Sequence, residues 1–320
     1  MGGVAILIYH RISFEVPDPQ LLCVTPANFQ QHAEHLKRHY DVISLQELKP
    51  LLEKKRRPKK TVVVTFDDGY ADNYWNAYPV LKRYGLPATL FVVSRYIDQD
   101  CELVHDEVER LILGAPRLPS HIAVEVGGTR HDWQLDTEGP QSIPWDVTRA
   151  EYPTSRHRCY HDLHRLLRGA DYESRSTVVA ALRVAIQDPP PPRQARRPLS
   201  SREILELAAS GFVNIGAHTH SHLFLAKQST ETQLREIRMS KERLEELLGG
   251  PVSAFAYPYG GSEAVSDTTR DCVKRVGFEL ACDNWPRLAG RLTDPLMLPR
   301  FLVRNWSGDE FARRLKHLVD

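Results

Sequence analysis

Residues 61–73 read TVVVTFDDGYADN: a run of β-branched and aromatic residues, two adjacent aspartates, then a glycine. A short continuous apolar run of this kind is what a strand buried on both faces looks like. Gly69 permits a sharp exit from it, which puts Asp67 and Asp68 at the strand's C-terminal mouth. Two neighbouring carboxylates repel there unless something positive is present. A metal ion resolves the conflict if one carboxylate ligates it and the other stays free as a base toward water. The same residues also read as an Asp-Gly turn with solvated carboxylates, and on this stretch alone the two readings stand even.

Working outward, AILIY (5–9) is a second short buried strand. TPANFQQHAEHLKRHY (25–40) is a helix with Thr25 as N-cap and Pro26 at its first position. Further strands are expected at 62–66, 88–93, 212–218, 254–258, 278–283 and 297–303, and helices at 73–84, 229–248, 262–275 and 307–318. Apolar strands alternating with amphipathic helices predict an α/β protein, a mainly parallel sheet covered by helices, open or closed into a barrel. Its chemistry should collect at the strands' C-terminal ends. Residues 101–199 break the rhythm with EVGGTRHDW, a charged helical pattern near 155–186, and the stretch QDPPPPRQARRP, which reads as extended and solvated. They are expected to be an insertion or small helical subdomain within one catalytic domain spanning 1–320.

The 320 residues carry 42 Lys+Arg against 41 Asp+Glu, a formal net charge of +1. No global field is available to capture nucleic acid or an anionic membrane. The first residues, MGGVAILIYHRIS, hold an apolar run too short for a signal-peptide core or a membrane span, so the expectation is a cytoplasmic protein. Five cysteines, scattered without CxxC spacing, read as reduced core thiols.

A metal at Asp68 requires more ligands, and histidines four apart are the first place to look. With 14 histidines in the chain the spacing is weak by itself. It occurs at His35/His39 and His157/His161, in charged helix-like stretches expected at the surface, and at His218/His222. The last pair, in FVNIGAHTHSHLFL, runs off the end of a buried-looking strand, as Asp67 and Asp68 do. One carboxylate oxygen with two imidazoles leaves coordination positions open, the pattern of catalytic zinc-type sites. His220, between them, is expected to point elsewhere.

Taken in order, TFDDG, HTHSH and FAYPYG resemble the polysaccharide deacetylase family, also called the NodB homology domain, over roughly 4–94 and 200–306. The resemblance implies a distorted (β/α) barrel with a largely helical insertion, and metal-dependent removal of N-acetyl groups from amino sugars. It implies Asp67 as catalytic base and Asp68, His218 and His222 as ligands of one divalent metal, zinc by default, with cobalt, nickel or iron as other occupants. It sets Thr219 beside the ligands, gives the backbone at Tyr259 a part in holding the oxyanion, and lets Pro258 and Tyr259 shape the groove wall. The expected partner is an N-acetylated saccharide; no nucleic acid and no membrane span are expected, and oligomeric state is not readable.

An amide nitrogen must be protonated to leave. The late histidine, His317, reads as the exposed end of a terminal helix, whereas ILIYHRI puts His10 at the mouth of the first strand. That resembles the branch of the family in which the acid-bearing motif has moved to the N-terminus, and His10 is taken as the acid. Many members have an arginine where Ala256 stands, orienting the base; here Arg300, in LPRFLV, is the candidate to reach the site. CDNWP resembles the family's aspartate and tryptophan motif, so Asp283 is expected to support a catalytic side chain and Trp285 to line the sugar groove or pack in the core. Two rivals stand beside the deacetylase: a non-catalytic saccharide-binding member, favoured by the missing arginine, and a cyclic amidase or imidase of the same superfamily.

Overall fold

The computed structural model describes residues 3–14, 17–53, 60–136, 143–186 and 188–319; Gln187, at the head of the polyproline stretch, lies outside them. The chain divides into two compact units, one made of Met1–Phe14, Leu22–Asp98 and Leu199–Asp320, the other of Glu15–Leu21 and Gln99–Pro198.

The first unit is built on an eight-stranded sheet whose ladders are all parallel. Its order runs Leu280–Cys282, Ala254–Ala256, Val213–Ala217, Ala88–Val92, Thr61–Phe66, Ala5–Tyr9, Phe301–Leu302. Thr61–Phe66 pairs from Val62 to Phe66 with Ala5–Tyr9. Its other edge is shared, Asp41–Ile43 taking the start and Ala88–Val92 the end.

The residues 295–303 join the two ends of this order. Ala281 N donates to Pro295 O (2.8 Å), Leu298 N to Ala281 O (2.8 Å) and Asp283 N to Leu298 O (2.9 Å), while Val303 N donates to Ile8 O (3.0 Å). The sheet is thereby curled into the distorted (β/α) barrel. Strand alternation sorts the side chains into two layers. Ala5, Leu7, Tyr9, Val62, Val64 and Phe66 belong to the large cluster shared with the helices, and Ile6, Val63, Phe91, Ala254, Ala256 and Cys282 to a second cluster on the opposite face. Gly216 is part of this inner packing: a Cβ there would stand 2.5 Å from the Phe91 ring.

Seven of the expected strands are present, most of them trimmed at one or both ends. Thr25 caps the helix Pro26–His39 as expected, accepting from Asn28 N (3.3 Å). Two helices depart from expectation. The stretch 73–84 opens with a π-helical turn, Asn73–Ala77, before Tyr78–Tyr84, because Pro79 has no N–H to return to the preceding turn. The helix expected from 262 begins at Asp267, where Ser266 supplies the cap to Thr269 N (3.1 Å).

The second unit has its own core, which includes Val108, Leu111, Trp145, Cys159, Tyr160, Leu163 and Leu182. Helices Val104–Ile112, Ser155–Gly169 and Tyr172–Ala185 are joined by an antiparallel hairpin, His121–Val126 with Thr129–Gln134, turning through Gly127 and Gly128 at φ 59° and 76°. The single helical pattern of 155–186 is thus two helices, the second capped by Asp171. The basic end of the proline stretch is not solvated as expected. Arg196, 3% exposed, bonds Asp106 (2.7 Å) and Glu109 (2.6 Å), and Arg193 bonds Glu102 and Glu109 (2.7 Å each). Buried carboxylates on the Val104–Ile112 helix need those partners.

His32 supplies a prediction about stability. Its ring stacks on Phe311 at 4.1 Å, its Nε2 lies 2.8 Å from Trp306 O, and Tyr9 OH lies 3.2 Å from Nδ1. The carbonyl can only accept, so Nε2 carries the hydrogen and the neutral ring is the one that fits. Burial pushes its pKa down to about 4, outweighing the carbonyl contact. The unfolded chain binds this proton near pH 6.5, so the stability associated with neutral His32 is complete above that value and falls as pH drops toward 4. The difference is roughly 3 kcal/mol at most. Urea melts of the wild type and His32→Gln between pH 7 and 4 check it: the wild type should lose stability more steeply.

Candidate functional site

The C-terminal ends of the parallel strands converge on five of the residues picked from sequence. Asp67 and Asp68 follow Thr61–Phe66, His218 follows Val213–Ala217, His222 lies one turn on, and Arg300 comes from the closing segment; all are buried. Asp68, Thr219, His222 and Tyr259 have φ of 73°, 63°, 58° and 65°, a left-handed conformation that non-glycine residues adopt only when their surroundings impose it. Four such residues around one point mark a site where placement of side chains has overridden backbone preference.

Asp68 Oδ1 stands 3.2 Å from His222 Nε2 and 3.4 Å from His218 Nε2, and the ligand atoms of the three residues lie within 4.8 Å of one another. Oδ1 is buried without a hydrogen-bond partner in the described residues. Two ligands about 2 Å from one centre at the tetrahedral angle are roughly 3.3 Å apart, so the triad fits a zinc-sized divalent cation. The tautomer agrees. His218 Nδ1 lies 2.8 Å from Ala256 O, to which it can only donate, and this leaves Nε2 with its lone pair toward Asp68. Thr219 Oγ1 accepts from His222 N (2.9 Å) and so shapes the turn between the two histidines.

Asp67 is held differently. Arg300, fully buried, donates from Nη1 and Nη2 to its two carboxylate oxygens at 2.7 Å each, a bidentate pair. Arg300 is itself seated: Nε donates to Asp283 O (3.0 Å), Nη2 to Asn284 Oδ1 (2.7 Å), and its guanidinium lies 5.5 Å over the Phe91 ring. Burial pushes the Asp67 pKa up, and Arg300 and then His218 more than reverse this, so the carboxyl sits below its ordinary range. The arginine missing at Ala256 is therefore matched by one from the closing segment, just before Phe301–Leu302. Gly260 belongs to the same arrangement, since a Cβ there would meet Asn284 at 2.5 Å.

The remaining candidates are placed as follows. His10 is half-buried between Ala5–Tyr9 and Arg11–Ile12; burial lowers its pKa, and the charges of Asp68 and Asp67 act to raise it. Pro258 is buried, and the Tyr259 ring lies 4.9 Å from that of His222. Asp283 supports Arg300 through its backbone carbonyl, not through its carboxylate, which accepts from Trp285 N (2.8 Å) and Arg287 (3.3 Å). Trp285 is 50% exposed with the Arg287 guanidinium 5.3 Å over its ring, so it is not core. His220 turns away toward Ser94 Oγ (2.9 Å). His35 and His39 lie on a helix face; His157 was expected at the surface but is buried, with Nδ1 2.8 Å from Thr154 Oγ1. All five cysteines are free, and among the described residues no helix is long and apolar enough to cross a membrane.

Sequence reasoning missed Asn284 and Thr65, whose hydroxyl lies 3.3 Å from Arg300 Nη1. Asn284 lay inside the singled-out CDNWP and Thr65 inside the singled-out TFDDG, but nothing local assigns Thr65 its partner, which is 235 residues away in the chain.

A family described as polysaccharide deacetylase matches residues 54–113 and 182–281, half of the chain. The Bacillus subtilis protein YxkH, which carries a polysaccharide deacetylase name, is 35% identical over 118 residues, 36% of this chain and 41% of that protein. A poly-β-1,6-N-acetyl-D-glucosamine N-deacetylase of Staphylococcus epidermidis is 39% identical over 75 residues, 23% of this chain and 26% of its own. The matches thus span well under half of these relatives' lengths. Among solved structures, the Streptococcus pyogenes deacetylase PplD in complex with acetate superimposes with a TM-score of 0.62 at 20% identity over 100% of both chains. IcaB from Ammonifex degensii gives 0.60 at 20% identity over 98% of this chain and 97% of that one. At that identity the likeness is one of fold.

Proposed function

The chain belongs to the polysaccharide deacetylase family, and from that premise we propose that it is a metal-dependent hydrolase removing the acetyl group from the nitrogen of an amino sugar. The observation that carries the proposal is the convergence of the Asp68–His218–His222 triad with an Asp67 that is not needed as a ligand and is held by Arg300. A divalent cation in that triad supplies Lewis acidity toward the amide oxygen and the attacking water. Asp67 takes the proton of the water as its oxygen adds to the acetyl carbon. His10 gives a proton to the nitrogen as the C–N bond breaks, so that acetate and a free amine leave. The backbone at Tyr259 stabilises the oxyanion, and the exposed face of Trp285 receives the sugar ring.

Names of relatives favour a β-1,6-linked N-acetylglucosamine chain as the substrate class. Zinc is the proposed ion, and both compact units are taken as one deacetylase domain with an insertion. The Arg300–Asp67 pair supports turnover over a binding protein that has lost it, because the arginine whose absence at position 256 favoured that rival is supplied from position 300.

The test is acetate release from β-1,6-linked and β-1,4-linked N-acetylglucosamine oligomers, a nucleotide-linked N-acetylglucosamine and a cyclic ureide. Release should come from an N-acetylated sugar and not from the ureide. Removal of the metal by dipicolinate should abolish it, and one equivalent of zinc, cobalt, nickel or iron(II) should restore it. Ring opening of the ureide without acetate release would replace the deacetylase by a cyclic amidase.

A further inference from the structure

The end of the opening motif, YADN, is not used by the chemistry above, yet its polar side chains are buried. Asp72 is 6% and Asn73 4% exposed, as is Arg11 at 1%, and all three meet at the short stretch that carries His10. Every residue from Tyr9 to Ile12 is tied to the 67–76 segment. Tyr9 O accepts from Asp67 N (3.0 Å) and His10 O from Asn73 Nδ2 (2.8 Å). Arg11 Nε donates to Asp72 Oδ2 (3.2 Å), Ile12 N to Asp72 Oδ1 (3.2 Å), and Asn76 Nδ2 to Ile12 O (2.7 Å). Asp72 Oδ1 also accepts from Asn73 Nδ2 (3.0 Å), and the Arg11 guanidinium lies 5.1 Å over the Tyr70 ring.

Among the described residues the His10 ring has no comparable tether. Its Nδ1 is buried without a hydrogen-bond partner in the described residues. A functional imidazole is usually aimed by a hydrogen bond on its second nitrogen. Here that means is absent among the described residues, and the position of the ring is set through its backbone. The backbone is set by Asp72 and Asn73, at the start of the π-helical turn Asn73–Ala77. We propose that Asp72 and Asn73 are positioning residues for His10: they lock the strand turn that carries the acid to the loop that carries the base and the first metal ligand. The motif TFDDGYADN is on this account one device, whose first aspartates do the chemistry and whose last two polar residues aim a histidine from another strand.

The proposal rests on the reading of His10 as the acid, and a double-mutant cycle separates the two. Asp72→Ala, with its zinc content unchanged, should lower kcat for acetate release at least tenfold with little change in KM, since a small displacement of a proton donor is costly while sugar contacts are untouched. In a His10→Gln background the same substitution should have no further effect. If Asp72→Ala leaves kcat at the wild-type value, or if its loss adds in full to that of His10→Gln, the network is a structural staple and the proposal fails. His10→Gln with wild-type turnover would instead remove the acid from His10. Should Asp72→Ala lose its zinc, Asn73→Ala, which keeps the Arg11–Asp72 pair, carries the same cycle with the same expected outcomes. Asp72→Asn retains the acceptor for Ile12 N and should recover part of the lost kcat.

Discussion

Replacing Asp67 by Asn is expected to lower acetate release about a thousandfold while leaving one equivalent of divalent metal bound. The two halves of this result come from different atoms. The atoms that could hold the ion belong to Asp68, His218 and His222, and Asp67 makes its bonds to Arg300. An amide at position 67 keeps the shape and can still accept from the guanidinium, but it cannot take a proton from water. Turnover at equilibrium-saturating substrate, with metal content measured on the same sample, checks both halves. Wild-type turnover would move the base to another residue, and loss of metal would put Asp67 among the ligands. The reciprocal variants, Asp68→Ala and His218→Ala, should lose metal and activity together.

Arg300→Met should cost both stability and activity. It removes both donors from a carboxylate that is 1% exposed, and a buried ion left without its partner typically costs about 3–5 kcal/mol. It also strips Asp283 O and Asn284 Oδ1 of a donor. Urea unfolding should show the loss. Turnover of the fraction that remains folded should fall by roughly a hundredfold, because the base is no longer aimed. Arg300→Lys is expected to fall between, keeping the charge but not the fork that meets two oxygens. A folded, fully active Arg300→Met protein would mean that Asp67 is oriented by something else.

Much of this site was legible in the chain because its signals are local. A β-branched run ending in two aspartates and a glycine places carboxylates at a strand mouth whatever lies around it. His218 and His222 announce themselves by running off another strand end. The proline stretch misled for the opposite reason: its composition says extended and solvated, but Arg193 and Arg196 answer buried carboxylates on the Val104–Ile112 helix that no local pattern reveals. Asp283 does meet Arg300, but through its backbone carbonyl, a contact that no side-chain motif announces.

By itself, then, the sequence determined the alternation of strands and helices and the mouth at which chemistry collects, because both follow from periodicity and from residues within a few positions of one another. Asp68, His218 and His222 were joined as candidate ligands only by the resemblance of separate motifs to one family. Which arginine reaches Asp67, and what holds His10, were decided only by tertiary structure. Arg300 and Asp67 are 233 residues apart, and Asn73 and His10 63 apart. Their meeting requires the 295–303 segment to join the last strand to the first and the strand end after Tyr9 to dock on the turn after Gly69. Side-chain convergence over such separations is a property of the curled sheet as a whole, because only its register brings those strand ends to one place.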